Sequence, residues 1–256
     1  MSFAASFRTE IIKTKRSATI WLCVLGSGFI PFIFFLTYIL QPERNIKKLQ
    51  IKPWEQHIGQ GWQALSAFLL PMFVILICSL VVQIEFKNNS WKQVYASPQS
   101  YAEIFFSKFL AIQMMILFLF VLFNLFLILA AVVPNLFYSK YAFLRSSLNW
   151  KKLLLLNLRT YVAILGISAL QYWISLRFKN FIVPIGIGLA CLIASLIMLQ
   201  WEHIAKIPYA YSMLTMMTAG TKAKYFFQNH EFNSIGYLVF FLALGFLDMK
   251  YRKERG

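Results

Sequence analysis

Six long apolar runs organise the chain. Residues 17–42, 58–84, 109–139, 160–176, 180–201 and 232–247 contain no Asp, Glu, Lys, Arg or His. A helix of about 20 apolar residues, rising about 1.5 Å per residue, crosses a hydrocarbon core of about 30 Å. The runs lack the alternation of barrel strands, and lipid otherwise permits only helices. The pattern predicts a single-domain all-α integral membrane protein over residues 1–256, with six spans near residues 18–40, 63–84, 109–133, 159–176, 181–200 and 233–249.

Composition supports the same class. Hydrophobic residues make up 59% of the chain and charged residues 13%, against about 45–50% and about 25% in soluble domains. Cys23, Cys78 and Cys191 each fall in a predicted span, without metal-binding spacing, and are interpreted as packing residues.

The N-terminal stretch FAASFRTEIIKTKR precedes the first span. Phe3, Phe7 and Ile11 recur every four residues with charges between them, which suits a helix lying in the membrane interface. A simple basic anchor explains the pattern equally well. A signal peptide is rejected because the apolar run is too long and no small-residue cleavage site follows it.

The Lys/Arg distribution bears on orientation. With both termini inside, six spans leave 13 Lys/Arg in inside segments and 12 in outside loops, so the count alone does not decide. The inside charges lie in short segments close to helix ends, where the positive-inside rule applies best. We therefore expect the chain to lie in the cell (inner, cytoplasmic) membrane with both termini in the cytoplasm. The net charge is +16, and we expect the basic residues at these helix ends to contact anionic lipid head groups. No nucleic-acid partner is expected.

An amphipathic, proline-broken insert, EFKNNSWKQVYASPQSYAEIFFSKF, separates the second and third apolar runs. Trp91, Val94 and Tyr95 share one helical face after Asn89, a residue type that favours the N-cap position. Pro98 stops this helix and favours the start of another.

The second short helix has a clear start signal. Ser100 and Glu103 have capping-box spacing, and Tyr101 shares a face with the apolar residues that follow it. This helix is expected to continue through Lys108 into the third span. The two helices form a bent element at the cytoplasmic surface, joined directly to two spans. A mere interfacial turn anchored by aromatic residues is the alternative.

Residues within the spans indicate packing more than chemistry. Gly186, Ala190 and Ala194 form a small-residue stripe that lets a helix approach closely, either within this chain or from a second copy. Pro31 and Pro71 predict kinks. Asn124, Gln83, Gln113 and Gln171 are expected to form interhelical hydrogen bonds, and the absence of charges mid-span disfavours an ion-coupled transporter.

Catalytic motifs are missing from the sequence. There is no HExxH, GxSxG or GxxxxGK[ST] pattern, so neither catalytic nor metal-binding residues are assigned and the chain is not expected to hydrolyse ATP. Two adjacent pairs, Glu202 with His203 and His230 with Glu231, would serve a metal or an enzyme only if they converged.

The insert resembles a known family pattern. Glu85, Lys87, Asn89, Trp91 and Pro98, followed by Lys108, are similar to the E-x-K-x-x-x-W, Pro, Lys signature after the second span of type-2 ABC transporter permeases. The resemblance is strongest to permeases of antibiotic and lantibiotic immunity exporters. The segments TEIIKTKRS and LQYWISLRFKNFIVPIGIG also resemble that family, and span number and order agree along essentially the whole chain.

This resemblance implies a function. The insert would be a coupling helix seated on a separate ABC ATPase, which would bind ATP and Mg, while this chain holds no cofactor. The chain would act as the permease of an exporter for an amphipathic substrate such as a peptide antibiotic, drug or lipid, paired with a second permease copy or paralogue. The expected coupling residues are Glu85, Lys87, Trp91, Lys92, Pro98, Tyr101, Glu103 and Lys108.

The sequence is also compatible with two alternatives. A non-transporting membrane scaffold or assembly factor shares the spans but needs no ATPase. A membrane-embedded lipid-modifying enzyme requires the two acid–histidine pairs to meet at one membrane face.

Overall fold

The computed structural model describes residues 3–15, 17–49, 51–87, 99–219 and 227–251. Across these residues the regular structure is helical and no strand occurs. The predicted all-α class is confirmed for this part of the chain. The helices are α1 (Phe3–Lys15), α2 (Ala18–Leu40), α3 (Pro42–Lys48), α4 (Pro53–Ala64), α5 (Leu70–Lys87), α6 (Tyr101–Phe137), α7 (Trp150–Arg177), α8 (Ile182–Ile197), α9 (Tyr211–Ala219) and α10 (Asn229–Tyr251).

Five helical stretches of the described chain are long and apolar enough to cross a membrane. They are α2, the continuous stretch Pro53–Lys87, α6, α7 and α10. The fifth predicted span, residues 181–200, corresponds to α8, which has only 16 residues. After α8 the chain forms the 3₁₀ turns Ile204–Lys206 and Pro208–Ala210 and then the short helix α9.

The stretch Pro53–Lys87 begins ten residues, or nearly three helical turns, before residue 63, where the second span was predicted to start. Pro53 occupies the first turn, where its missing N–H costs nothing. Trp54, Ile58 and Trp62 recur every four residues and are all buried, so this extension packs on the bundle rather than lying free.

Helix α6 starts where its capping box predicts. The Glu103 backbone N–H donates to Ser100 Oγ at 3.2 Å, and the Ser100 backbone N–H donates to Glu103 Oε2 at 2.8 Å. Two of the N–H groups that every helix start leaves unpaired are thereby satisfied. The helix then runs without interruption through Lys108 into the membrane, as expected.

The bundle consists of two main helix pairs joined by a central helix. Helix α2 packs along α6, and α7 packs along α10. Helix α5 contacts α7, α8, α2 and α6, so it links the two pairs. Helix α1 lies against α6 and α2. A displacement of α5 is therefore felt by most of the bundle.

Side-chain amide groups form hydrogen bonds between these helices, as predicted, for three of the four polar residues named above. Asn124 Nδ2 donates to Asn157 Oδ1 at 2.7 Å, and Gln113 Nε2 donates to Ser168 Oγ at 3.0 Å, both between α6 and α7. Gln171 Nε2 donates to the Pro184 carbonyl at 2.7 Å, joining α7 to α8. Such bonds replace water for polar groups inside the membrane.

A π-helical turn, Leu65–Leu69, joins α4 to α5 just before Pro71. Proline cannot donate a backbone hydrogen bond, and the wide turn accommodates it. The Ser66 carbonyl accepts a hydrogen bond from Ser212 Oγ at 2.9 Å. A side chain of α9 thus satisfies a backbone carbonyl of this turn. Pro31 lies inside the unbroken α2.

The small-residue stripe does not pack within the described chain. Gly186, Ala190 and Ala194 are all exposed, and a methyl group built on Gly186 would meet no atom within 4 Å. The buried face of α8 instead carries Gly188, where such a methyl would lie 2.8 Å from Ile75 Cγ2. Packing is thus displaced by two residues, about 200° around the helix. Cys191, expected to be a packing residue, is also exposed, while Cys23 and Cys78 are buried.

Candidate coupling site

The structure divides the predicted coupling residues into two environments. Glu85, near the end of α5, and Lys108, in the second turn of α6, are each only 1% exposed. Lys87 and Tyr101 are exposed, and Glu103 is partly exposed at the helix cap. Trp91, Lys92 and Pro98, together with Asn89 and the first short helix, lie outside the described residues.

Glu85 and Lys108 belong to a buried charged cluster with two residues of α1. Lys108 Nζ donates to Glu85 Oε1 and to Glu10 Oε2, both at 2.6 Å. Lys13 Nζ donates to Glu10 Oε1 at 2.7 Å and to Glu85 Oε1 at 3.1 Å. We call these four residues the charged cluster. Its two carboxylates and two ammonium groups balance in charge, and they tie α1, α5 and α6 together.

The family signature includes the α5 and α6 members of this cluster, Glu85 and Lys108, whereas its α1 members, Glu10 and Lys13, were not predicted. The buried residues of α1 are Ser6, Glu10 and Thr14, spaced by four on one face. The helix therefore presents a polar stripe to the bundle, whereas sequence reasoning followed its apolar residues. Phe3 is exposed, and Ile11 packs partly against the core. The signal available in the sequence was the spacing of Glu10, which lies four residues after Ser6 and four before Thr14.

Electrostatics favour the charged forms of Glu10 and Lys13, the two members of the cluster on α1. Burial alone would raise the pKa of Glu10, but the charges of Lys108 and Lys13 outweigh it and hold that pKa below its ordinary value. Burial alone would lower the pKa of Lys13, yet Glu10 and Glu85 raise it overall. Both groups of α1 are thus ionised across the physiological range, and the ion pairs persist there.

The residues proposed for an enzyme do not form a site. The Glu202–His203 pair is largely exposed. His230 Nε2 lies 3.0 Å from Thr215 Oγ1, and Glu231 accepts from Arg159 Nε at 2.8 Å. Within the described ranges, no three or more His, Cys, Asp or Glu side chains come together to hold a metal. The contacts of His230 and Glu231 are those of packed helices.

The long apolar helices, with short connections and a buried ionic joint at one end, define a polytopic helical membrane protein. The sequence matches the family described as ABC-2 family transporter protein over residues 6–195, and the chain belongs to this family. It is thus a type-2 ABC transporter permease, a membrane subunit rather than a catalytic one. Comparison with curated proteins gives no match, and comparison with solved structures gives none.

Proposed function

We propose that this permease belongs to an ATP-driven exporter and that residues 85–108 couple it to a separate ABC ATPase. The partner binds ATP and Mg, and this chain pairs with a second permease copy or a paralogue. Both termini and the coupling segment, residues 85–108, face the cytoplasm. The substrate is an amphipathic molecule such as a peptide antibiotic, a drug or a lipid, in keeping with the resemblance to immunity exporters.

The observation that carries this proposal is the position of the charged cluster. The coupling segment leaves α5 just after Glu85 and has entered α6 by Lys108, and these two side chains bond directly. The ends of the segment are therefore clamped to each other. Removing one partner of a buried ion pair costs about 3–5 kcal/mol, so a force on the segment moves both helices before it separates them.

The clamp also includes α1. Glu10 and Lys13 bond across to Lys108 and Glu85, so the N-terminal helix follows the same motion. From α5 the displacement passes to α7 and α8, and from α6 it passes to α2. ATP-driven closure of two ATPases would thereby be converted into rearrangement of the bundle. The exposed Lys87 and Tyr101 border the surface available to the partner.

The test is a mild-detergent pull-down of the tagged chain, with identification of its partners and measurement of ATP hydrolysis. We expect an ABC ATPase to copurify, and we expect Trp91→Ala and Pro98→Ala to lower ATP hydrolysis that depends on the permease. Trp150→Ala is the matched control, because Trp150 is exposed at the start of α7, away from the charged cluster. The Trp150→Ala chain should insert into the membrane normally, and its complex should hydrolyse ATP at the parent rate.

Two results would contradict the proposal. A chain that elutes alone, under conditions that preserve other membrane complexes, would favour a scaffold role. Unchanged coupling in both Trp91→Ala and Pro98→Ala, with normal membrane insertion, would remove the coupling assignment from this segment.

A further inference from the structure

A second feature lies at the other end of the stretch Pro53–Lys87. A cleft of about 1160 Å³ opens between the start of α4, the loop before α7, the first turns of α7 and the end of α9. Glu55 lines the cleft, and Glu85 belongs to the charged cluster. They are 30 residues apart on one nearly continuous helix, or about 45 Å. The cleft is therefore separate from the proposed coupling site.

The rim of the cleft is cationic. Lys52, Arg145 and Lys152 lie along it, and Glu55 is the one acidic residue among the described residues that line the cleft. Glu55 is shared between Lys152 at 2.8 Å and Lys52 at 3.4 Å. Arg145 is exposed and makes no ion pair with the described residues. The rim thus carries positive charge that its own carboxylate does not balance.

Arg159 places a further cation deeper in the cleft. It lies nine residues into α7, or about 13 Å along the helix, and is only 7% exposed. Its Nε donates to Glu231 at 2.8 Å and its Nη2 to Thr218 Oγ1 at 3.4 Å. Within the described chain, Nη1 has no hydrogen-bond acceptor. Glu231 balances the charge of Arg159 within the protein, so Arg159 brings hydrogen-bond donors, rather than excess charge, to the cleft that it lines.

Much of the cleft lining is apolar. Ile58 of α4, Leu153 and Leu156 of α7, and Met216 and Met217 of α9 contribute to its lining. Methionine side chains adapt to flexible apolar ligands. A small inorganic anion would use the cationic rim and leave this apolar lining exposed to water, whereas an anionic amphiphile would use both surfaces.

We propose that this cleft binds an anionic phospholipid, with its phosphate among Arg145, Lys152 and Arg159 and an acyl chain along the apolar lining. The volume, the unbalanced positive rim and the apolar interior together match this class of ligand. The site requires only that the chain lies in a membrane. It does not depend on the proposed ATPase coupling, and it can be tested without an ATPase.

The experiment is native mass spectrometry of the full-length chain, titrated with phosphatidylglycerol or with phosphatidylcholine of the same acyl length. We expect phosphatidylglycerol to bind at least about tenfold more tightly. Arg145→Gln and Lys152→Gln should each weaken its binding about fivefold. Both residues are exposed, so these variants should fold. Lys151→Gln is the matched control, because Lys151 neighbours Lys152 but does not line the cleft, and it should change binding less than twofold.

A competition experiment distinguishes binding of a phospholipid from binding of free phosphate. Short-chain phosphatidylglycerol should displace the bound lipid, whereas glycerol 3-phosphate and inorganic phosphate should not. Displacement by inorganic phosphate at similar concentrations would make the site a simple anion site. Equal binding of the two phospholipids, or equal loss in Lys151→Gln and in the two rim variants, would also overturn the proposal.

Discussion

Replacing Lys108 by Met is the sharpest test of the charged cluster. Lys108 is 1% exposed and bonds to two carboxylates at 2.6 Å each. Methionine fills a similar volume but carries no charge. In the variant, Lys13 is the cation that still bonds to Glu10 and Glu85 among the described residues, and its side chain is 31% exposed. An excess negative charge is then left in a buried site.

The expected cost follows from that burial. Removing one partner of a buried ion pair destabilises a protein by about 3–5 kcal/mol, whereas an exposed pair contributes about 0–1 kcal/mol. At about 2–4 °C per kcal/mol for a chain of roughly this size, Lys108→Met should lower Tm by about 6–20 °C. Lys87→Met is the control, since Lys87 is exposed in the last turn of α5 and should shift Tm by less than about 2 °C.

A paired variant distinguishes charge from packing. Glu85→Gln combined with Lys108→Met removes one charge of each sign and leaves Glu10 bonded to Lys13 at 2.7 Å. The remaining cluster is neutral again. If uncompensated charge causes the loss, the double variant should recover at least half of the Tm lost in the single variant.

The assay is thermal unfolding of the purified chain in mild detergent, followed by tryptophan fluorescence. A Lys108→Met variant as stable as Lys87→Met would refute the argument that the cluster holds the three helices together. A double variant less stable than Lys108→Met would show that the packing of the two side chains, rather than their charge balance, sets the loss.

Two further predictions concern acidification and close packing. Because the pKa of Glu10 is lowered from its ordinary 4.5, its stabilising contribution is complete above about pH 4.5 and is lost as the pH falls through the lower folded-state value. The protection factors of the α1 amides, which correct for the pH dependence of intrinsic exchange, should therefore fall only in that acidic range, and Glu10→Gln should lower them at every pH; a parent chain whose α1 protection factors do not change on acidification would contradict this. Gly188→Ala should lower Tm by about 2–12 °C, because its methyl would lie 2.8 Å from the buried Ile75. Gly186→Ala, with open space around it, should leave Tm unchanged or slightly higher, and equal effects of the two would refute the assigned orientation of α8.

The sequence was most informative where local interactions decide structure. The apolar runs required helices because lipid cannot satisfy a bare backbone. The Ser100–Glu103 capping box determined the start of α6 because both partners lie within one turn. The signature from Glu85 to Lys108 indicated the family because it is a contiguous pattern. Each of these signals is complete within a few residues or one segment.

The sequence was less informative about which face of each helix is buried and which helices contact each other. Lys108 bonds to Glu10 across 98 positions, and Lys13 bonds to Glu85 across 72. No local pattern joins these residues. Because each residue turns a helix by about 100°, a shift of two positions separates the exposed Gly186 from the buried Gly188. The apolar character of α8 does not specify which of its sides meets α5.

The sequence by itself determined a helical membrane protein, the start of its third span and its resemblance to ABC permeases. Only the tertiary structure decided that α1 completes the ionic joint between α5 and α6, that the small-residue stripe faces outward, and that four cations gather around one cleft. The physical reason is that backbone hydrogen bonding and burial in lipid act locally along a chain, whereas ion pairing and helix packing depend on how separate helices are rotated and placed.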